Sequence, residues 1–321
     1  MAQKTVSLNS KETAVWLKEH NDFLILTHRR PDGDTLGSAA ALCCGLRAIG
    51  KRAYILGNPE TTERYLEYVT PYLAPPDFSP ATVIAVDTAD PNILAVNAGP
   101  LAQRVDLDID HHASNKGYAK YSCLDASLSS CGELVYEILM ALKGEVSAEE
   151  ALPLYVALTT DTGCFQYANV TANTLEVGSR LIAAGADYRM VNKTLFRTKS
   201  RSRMRLDGAL YSSLQYHHEG RTAIGIVTLD LMAKTGVTED DLDDIATIPN
   251  QAKGVKIGII VRELKKDSCK VSVRTSPDID ANLICKTFGG GGHSMAAGCL
   301  VDADPETVAH SLVAAAKEAL R

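Results

Sequence analysis

Asp22 to Gly50 reads DFLILTHRRPDGDTLGSAAALCCGLRAIG. Its first seven residues form a short apolar run with the length of a buried parallel strand. RRPDGD follows, where Pro31 and Gly33 favour a tight turn. TLGSAAALCCGLRAIG comes next, and its small and apolar residues suit a helix packed against a sheet. The unit is therefore strand, acidic turn, helix, and it recurs in outline downstream. ATVIAVDTAD is a second apolar run ending at Asp87, and RVDLDIDHH is a third ending at Asp110, His111 and His112. Asp161, in ALTTDTGCF, follows a helix expected to begin near Glu149. This β-α alternation predicts an α/β domain with a mainly parallel sheet flanked by helices. In open α/β sheets the strand carboxyl ends define the ligand crevice. His28, Asp87 and His111 all stand at predicted strand ends, so they can meet there.

The chain as a whole sets bounds on function. Its 321 residues suffice for two domains, each with a core of its own. A net charge of -6 argues against bulk binding to duplex DNA, while a local basic pocket stays compatible with it. Lys4, Lys11 and Glu12 interrupt the N-terminus before any signal-like apolar run develops, and no segment has the length to cross a membrane. The eight cysteines include no C-x-x-C pair, a pattern of reduced thiols used as small hydrophobes in a cytoplasmic protein rather than of a zinc-thiolate site.

Asp32 and Asp34 project from the PDGD turn two residues apart. Their bland role is to build the turn and cap the helix. His28, Asp87, His111 and Asp161 change that reading, because clustered carboxylates repel one another unless cations are present. Two cations sharing a bridging carboxylate accommodate so many acids. An oxygen-rich set with a few imidazoles suits Mn²⁺ first and Mg²⁺ second, and two such ions roughly 3.5–4 Å apart form a clamp for in-line attack on phosphorus. DIDHHASN, Asp108 to Asn115, places two histidines side by side. Neighbours on a strand point to opposite faces, so His111 and His112 are expected to have separate roles. The other adjacent pair, His217-His218 in YHHEGR, reads as a polar hairpin tip.

HRRPDGDTLGS, AVDTAD, DIDHHASN and TTDTG, in that order from His28 to Gly163, resemble the four motifs of the DHH phosphoesterase family. The resemblance implies that His28 and Asp32 hold one metal, that Asp34 and His111 hold the other, and that Asp87 bridges them. Asp161 would complete the second site. His112 would face the substrate and donate to a phosphate oxygen, so that it and Asp87 stand at the reacting centre. Asp110, in preference to Asp108, would orient His111 by a hydrogen bond. Asp90 and Asp106 are expected to be capping or surface carboxylates.

FGGGGHSMAAG, Phe288 to Gly298, is neither a dinucleotide fingerprint nor a P-loop. Consecutive glycines permit close backbone approach, and their N–H groups can form an anion-binding nest; a plain loop between helix and strand is the bland alternative. A GGGH element is the mark of the DHH-associated C-terminal domain found in RecJ-like members. By that resemblance His293 contacts a phosphate, while Gly290, Gly291 and Gly292 shape the wall of a cleft. RTAIGIVTL, VKIGIIVREL and CKVSVRTS read as strands, and DIDANLICKTF and DPETVAHSLVAAAKEAL as helices, giving a smaller C-terminal α/β domain. Arg274 resembles the family's substrate-binding arginine, with Arg262 and Asn282 as further contacts. FRTKSRSRMRLDG carries Arg197, Lys199, Arg201, Arg203 and Arg205 and reads as a connector, either a solvated charge run or a row of phosphate contacts. The expected division is a catalytic domain over 1–185, a connector and hinge over 186–207, and a substrate-binding domain over 208–321, with the active site in the cleft between the domains.

A chain of one DHH domain, one associated domain and little else resembles the standalone nanoRNase type. That type degrades RNA of a few nucleotides and removes phosphate from pAp (adenosine 3′,5′-bisphosphate). The alternatives are a standalone phosphodiesterase of pApA or cyclic di-AMP, an inorganic pyrophosphatase, which the glycine run opposes, and a nucleotide-binding regulator without catalysis, which the full ligand set opposes. A homodimer is compatible with the sequence, although no segment marks its interface.

Overall fold

A computed structural model describes residues 5–242 and 244–321. The chain divides into two compact units, Met1–Thr198 and Lys199–Arg321. The first unit runs β1 (Val6–Ser7), α1 (Ser10–Glu19), β2 (Phe23–Leu26), α2 (Gly33–Ala48), β3 (Ala53–Ile55), α3 (Glu63–Val69), β4 (Thr82–Val86), β5 (Leu107–Asp110) and β6 (Tyr121–Leu124). It continues with α4 (Cys131–Lys143), α5 (Ala148–Asp161), α6 (Ala172–Ala183) and α7 (Tyr188–Val191). The sheet order is β1-β6-β5-β4-β2-β3, and every pairing in it is parallel.

Strands β2, β4 and β5 are buried at every position, as parallel strands covered on both faces must be. Phe23, Ile25, Ile84, Val86, Leu107 and Ile109 point into the helical core, while Leu24, Leu26, Val83 and Ala85 pack against Leu94, Ala98 and Val105 on the other face. The chain adds β3 on one side of β2, then returns to the other side with β4, β5 and β6. Strand addition therefore reverses between β2 and β4, which opens a crevice at their carboxyl ends.

Helix α2 is buried from Gly33 to Leu46. A helix enclosed this way needs small residues wherever a neighbour comes close. A Cβ on Gly37 would lie 2.3 Å from the Pro153 carbonyl oxygen of α5, and one on Gly132 of α4 would lie 2.5 Å from the Ala157 Cβ. This close approach brings the first turn of α2, the N-terminus of α4 and the last turn of α5 together.

The second unit runs α8 (Arg201–Ser213), β7 (Gln215–His217), β8 (Thr222–Val227), α9 (Leu229–Thr235), β9 (Ile257–Lys265), β10 (Ser268–Thr275), α10 (Ala281–Lys286), β11 (Gly291–His293), β12 (Ala296–Val301) and α11 (Pro305–Ala319). Its sheet order is β11-β12-β10-β9-β8-β7, antiparallel except for the β8–β9 pair. Valines and isoleucines of β9 and β10 pack with α10 and α11 on one face, and Leu206 and Leu210 of α8 cover Val227 and Ile260 on the other. His217-His218 lies at the β7–β8 hairpin, where His218 and Glu219 take left-handed backbone angles. All eight cysteines are free thiols, and all but Cys164 are buried. Among the described residues no helix is long and apolar enough to cross a membrane.

Candidate metal centre

His28 lies two residues beyond β2, Asp87 one beyond β4 and His111 one beyond β5, on three neighbouring strands. Asp32 is the N-cap of α2, and its Oδ1 accepts the N–H groups of Asp34 and Thr35. Capping leaves its side chain more than half exposed, so the bland role and the metal role coexist in one residue. Asp34 stands in the first turn of α2. Its carboxylate accepts the N–H groups of Cys131 and Gly132 at 2.7 and 2.9 Å, at the positive end of α4, and the Ser38 hydroxyl at 3.1 Å. Asp161 is the last residue of α5.

These groups form two sets with a shared member. His28 Nε2 lies 3.7 Å from Asp32 Oδ1 and 3.5 Å from Asp87 Oδ2. His111 Nε2 lies 3.7 Å from Asp34 Oδ2, 3.6 Å from Asp87 Oδ1 and 3.5 Å from Asp161 Oδ2. Such spacings are too long for hydrogen bonds. They lie near the edge length of a coordination polyhedron, about 3.0–3.5 Å for ligands about 2.1 Å from a common ion. Asp87 turns one oxygen toward each set. Its Oδ1 is buried and, among the described residues, has no hydrogen-bond partner, an uncompensated acceptor at the meeting point of both sets. Its backbone sits at φ +54, held there by its N–H on the Ile109 carbonyl at 2.8 Å. A non-glycine residue in that region costs about 1–3 kcal/mol and persists where the surroundings over-determine it.

Both histidine rings are oriented from behind. His28 Nδ1 donates to the Arg29 carbonyl at 2.8 Å and His111 Nδ1 to the Leu128 carbonyl at 3.3 Å. A carbonyl only accepts, so each Nδ1 carries a proton and each Nε2 faces the acids. The electrostatics ask for positive charge. Burial, then Asp87, Asp161 and Asp32, hold the Asp34 carboxyl well above its ordinary range. Burial, reinforced by Asp87 and Asp32 against the opposing pull of His111, pushes Asp161 up to about 7. Burial works to lower His28, yet Asp32 and Asp87 overcome it and hold the imidazole up at about 11. Two imidazoles and four carboxylates converging on an unpartnered oxygen fit a pair of divalent cations.

His112 departs from the strand reading. Strand β5 ends at Asp110, so the alternation of faces stops before the pair begins, and both rings occupy one place, with centroids 4.5 Å apart. His112 Nδ1 donates to Asp110 Oδ1 at 2.7 Å and lies 3.5 Å from Asp87 Oδ1. The hydrogen bond to Asp110 outweighs burial and holds His112 up at about 9. Asp110 was expected to orient the ring of His111. It takes only the backbone N–H of His111, at 2.8 Å, and the ring it orients is that of His112. Asp90 caps the short turn Pro91–Ile93 and pairs with Lys116, and Asp106 accepts the Val83 N–H and the Lys120 ammonium.

In the second unit the glycine run is neither an open nest nor a plain loop. Gly291–His293 is an edge strand paired with Ala296–Gly298. Gly292 has φ +153, and a Cβ there would lie 2.5 Å from the Ala296 carbonyl, so the hairpin requires glycine. His293 pairs with Ala296, which pairs with Arg274, so His293 and Arg274 point to one face across a small residue. Asn282 donates its amide to the Gly292 carbonyl at 2.5 Å, which braces the hairpin. Arg262 is engaged by Glu239 at 2.8 Å. Of the connector cations, Arg203 and Lys199 pair with Asp207, and Arg205 donates to the Thr235 carbonyl.

The residues that the motifs missed are backbone donors and an amide. The N–H groups of Cys131 and Gly132 hold Asp34, and a helix N-cap in SSCGE was the available signal. Asn115 contacts both Asp108 and Asp110, and its place within DHHASN was the available signal.

Comparison with known proteins finds a family match in each unit. Residues 22–159 match the DHH family, N-terminal domain, and residues 223–321 match the DHHA1 domain. A bifunctional oligoribonuclease and PAP phosphatase NrnA of Thermus thermophilus is 32% identical over 85% of this chain and 82% of its own. The protein of the same name from Bacillus subtilis is 24% identical over 88% of this chain and 90% of its own. An exopolyphosphatase-related protein from Bacteroides fragilis shares the fold, with a TM-score of 0.87 at 21% identity over 96% of this chain and 95% of its own.

Proposed function

Because this chain belongs to the DHH family and carries a DHHA1 domain, we propose that it is a metal-dependent phosphoesterase. It hydrolyses short oligoribonucleotides to mononucleotides and dephosphorylates pAp to AMP, the pair of activities in the names of the two relatives above. The observation that carries the reading is Asp87, whose two oxygens face the imidazoles of two separate ligand sets. His28 and Asp32 would hold one ion, Asp34, His111 and Asp161 the other, and Asp87 both; Mn²⁺ is the first choice and Mg²⁺ the second. When bound, such a pair supplies Lewis-acid charge to the phosphoryl group and to the attacking water.

The chain's own groups do the rest. His112, one third exposed, donates through Nε2 to a phosphate oxygen as negative charge builds there. Asp110 keeps its Nδ1 occupied, so Nε2 is the nitrogen left for substrate. Arg274 and His293 are the second unit's candidates for phosphate contacts, the arginine by its planar fork.

The test is hydrolysis in Mn²⁺ of four substrates side by side: pAp, a 5′-phosphorylated RNA of a few nucleotides, cyclic di-AMP and pyrophosphate. Asp87→Ala serves as the blank. Turnover of pAp and short RNA that disappears in the variant supports the reading. Turnover of cyclic di-AMP alone, or of pyrophosphate alone, replaces it with a signalling phosphodiesterase or a pyrophosphatase. Silence on all four with nucleotide binding retained overturns catalysis itself.

A further inference from the structure

Asn115 closes the turn that follows the two histidines. Its N–H donates to the His112 carbonyl at 3.0 Å, and its Oδ1 accepts the Gly117 N–H at 2.8 Å. That acceptor fixes which way the amide faces, so Nδ2 turns inward. There it donates to two carboxylates at once, Asp108 Oδ2 at 2.7 Å and Asp110 Oδ2 at 2.6 Å. Asp108 and Asp110 are two apart on β5, share a face, and are both fully buried.

The two oxygens of Asp110 have different partners. Oδ1 accepts the N–H groups of His111 and His112 at 2.8 and 3.3 Å and the Nδ1 of His112 at 2.7 Å. Among the described residues the hydrogen-bond partner of Oδ2 is Asn115. A carboxylate anchored at both oxygens cannot swing about its Cβ–Cγ bond, and that angle aims Oδ1 at the imidazole. We infer that Asn115 is a positioning residue for His112: its amide locks the Asp110 carboxylate, which in turn sets the tautomer and direction of the ring. The chemistry selects asparagine. One planar NH₂ offers two hydrogens to two acceptors, whereas serine offers one and aspartate offers none and sets a third acid beside the two. Glutamine carries the same group one carbon too far.

The kinetic arm of the test rests on the phosphoesterase reading, and a second arm does not. Asn115→Asp keeps the size and removes the donors; Asn115→Ser removes bulk and keeps one hydrogen, which guards against a variant that fails to fold. In ¹⁵N-histidine-labelled full-length protein with Mg²⁺, the Nδ1–H proton of His112 is expected as a slowly exchanging downfield signal, assigned by its loss in His112→Ala. It should vanish in Asn115→Asp and exchange faster in Asn115→Ser. In Mn²⁺ with pAp, kcat should fall about 10–100-fold in Asn115→Asp, the usual range for a group acting through another ligand or donor. The Mn²⁺ half-saturation should move by less than about threefold, and His112→Ala/Asn115→Asp should be no slower than His112→Ala alone. Retention of the Nδ1–H signal in Asn115→Asp overturns the inference. So does a loss that multiplies with His112→Ala, or one carried by metal affinity, which would place Asn115 behind His111 instead. A wild-type protein silent on pAp would sink the proposed reaction, and the NMR signal would still decide the positioning.

Discussion

Asp161→Asn should make the metal-free protein more stable and the metal-loaded protein less so. In the metal-free chain, burial first and then Asp87 and Asp32 raise the Asp161 carboxyl from 3.8 to about 7. The folded state therefore binds this proton more tightly than the unfolded state does. Stability is whole below about pH 4, falls as pH rises through the window up to about 7, and stays low above it. At about 1.4 kcal/mol per pH unit over about three units, the penalty has an upper bound of about 4 kcal/mol. The side chain is 31% exposed and shares its field with Asp34 and Asp87, so solvent screening leaves about 2 kcal/mol as the working figure. Asparagine keeps the volume and carries no charge. In chelator-treated protein at pH 8 the variant should melt about 4–8 °C higher than wild type for a unit of this size. That advantage should shrink steadily as the pH is lowered toward 4. With Mn²⁺ the order should reverse, because the variant gives up a charged ligand of the second set. Calorimetry at three pH values, with chelator and with Mn²⁺, measures all of this. A variant that melts lower than wild type in chelator at pH 8, or a gain that does not change with pH, would refute the reasoning.

Two further pairs of variants test packing and pairing. Gly37→Ala gains about 1 kcal/mol of helix propensity but places a Cβ 2.3 Å from the Pro153 carbonyl, an overpacking cost of about 1–3 kcal/mol, so α5 retreats and Mn²⁺ affinity falls with it. Gly208→Ala in α8 meets nothing within 4 Å and should raise the melting temperature, which thermal melts and a Mn²⁺ titration of the two variants will separate. Asp207→Ala removes the buried ion-pair partner of Arg203, whose guanidinium keeps the Asp241 carbonyl, and should cost about 3 kcal/mol, both side chains being 9% exposed. Lys199→Ala, on the same aspartate but 43% exposed, should cost under about 1 kcal/mol by urea denaturation.

What the sequence by itself determined is the scaffold and the set of candidate metal donors. FLIL, TVIAV and LDID are short, apolar or acid-ended and joined by helical stretches, and they became the parallel strands β2, β4 and β5. His28, Asp32, Asp34, Asp87, His111 and Asp161 were legible because residue type and distance from a strand end are local properties, and parallel strands carry their ends to one side. Only the tertiary structure decided how the donors face one another. The strand stopped at Asp110 rather than running on through the histidines, so both histidines share a place and Asp110 orients the second ring instead of the first. The amide of Asn115, the α4 N–H groups on Asp34 and the unpartnered oxygen of Asp87 depend on separations between parts of the chain that no periodicity encodes. The glycine run became an edge strand, and three of the connector cations took partners in their own unit, for the same reason. A hydrogen bond is satisfied or lost within a few tenths of an ångström, and that precision comes from packing, after pattern has placed the elements.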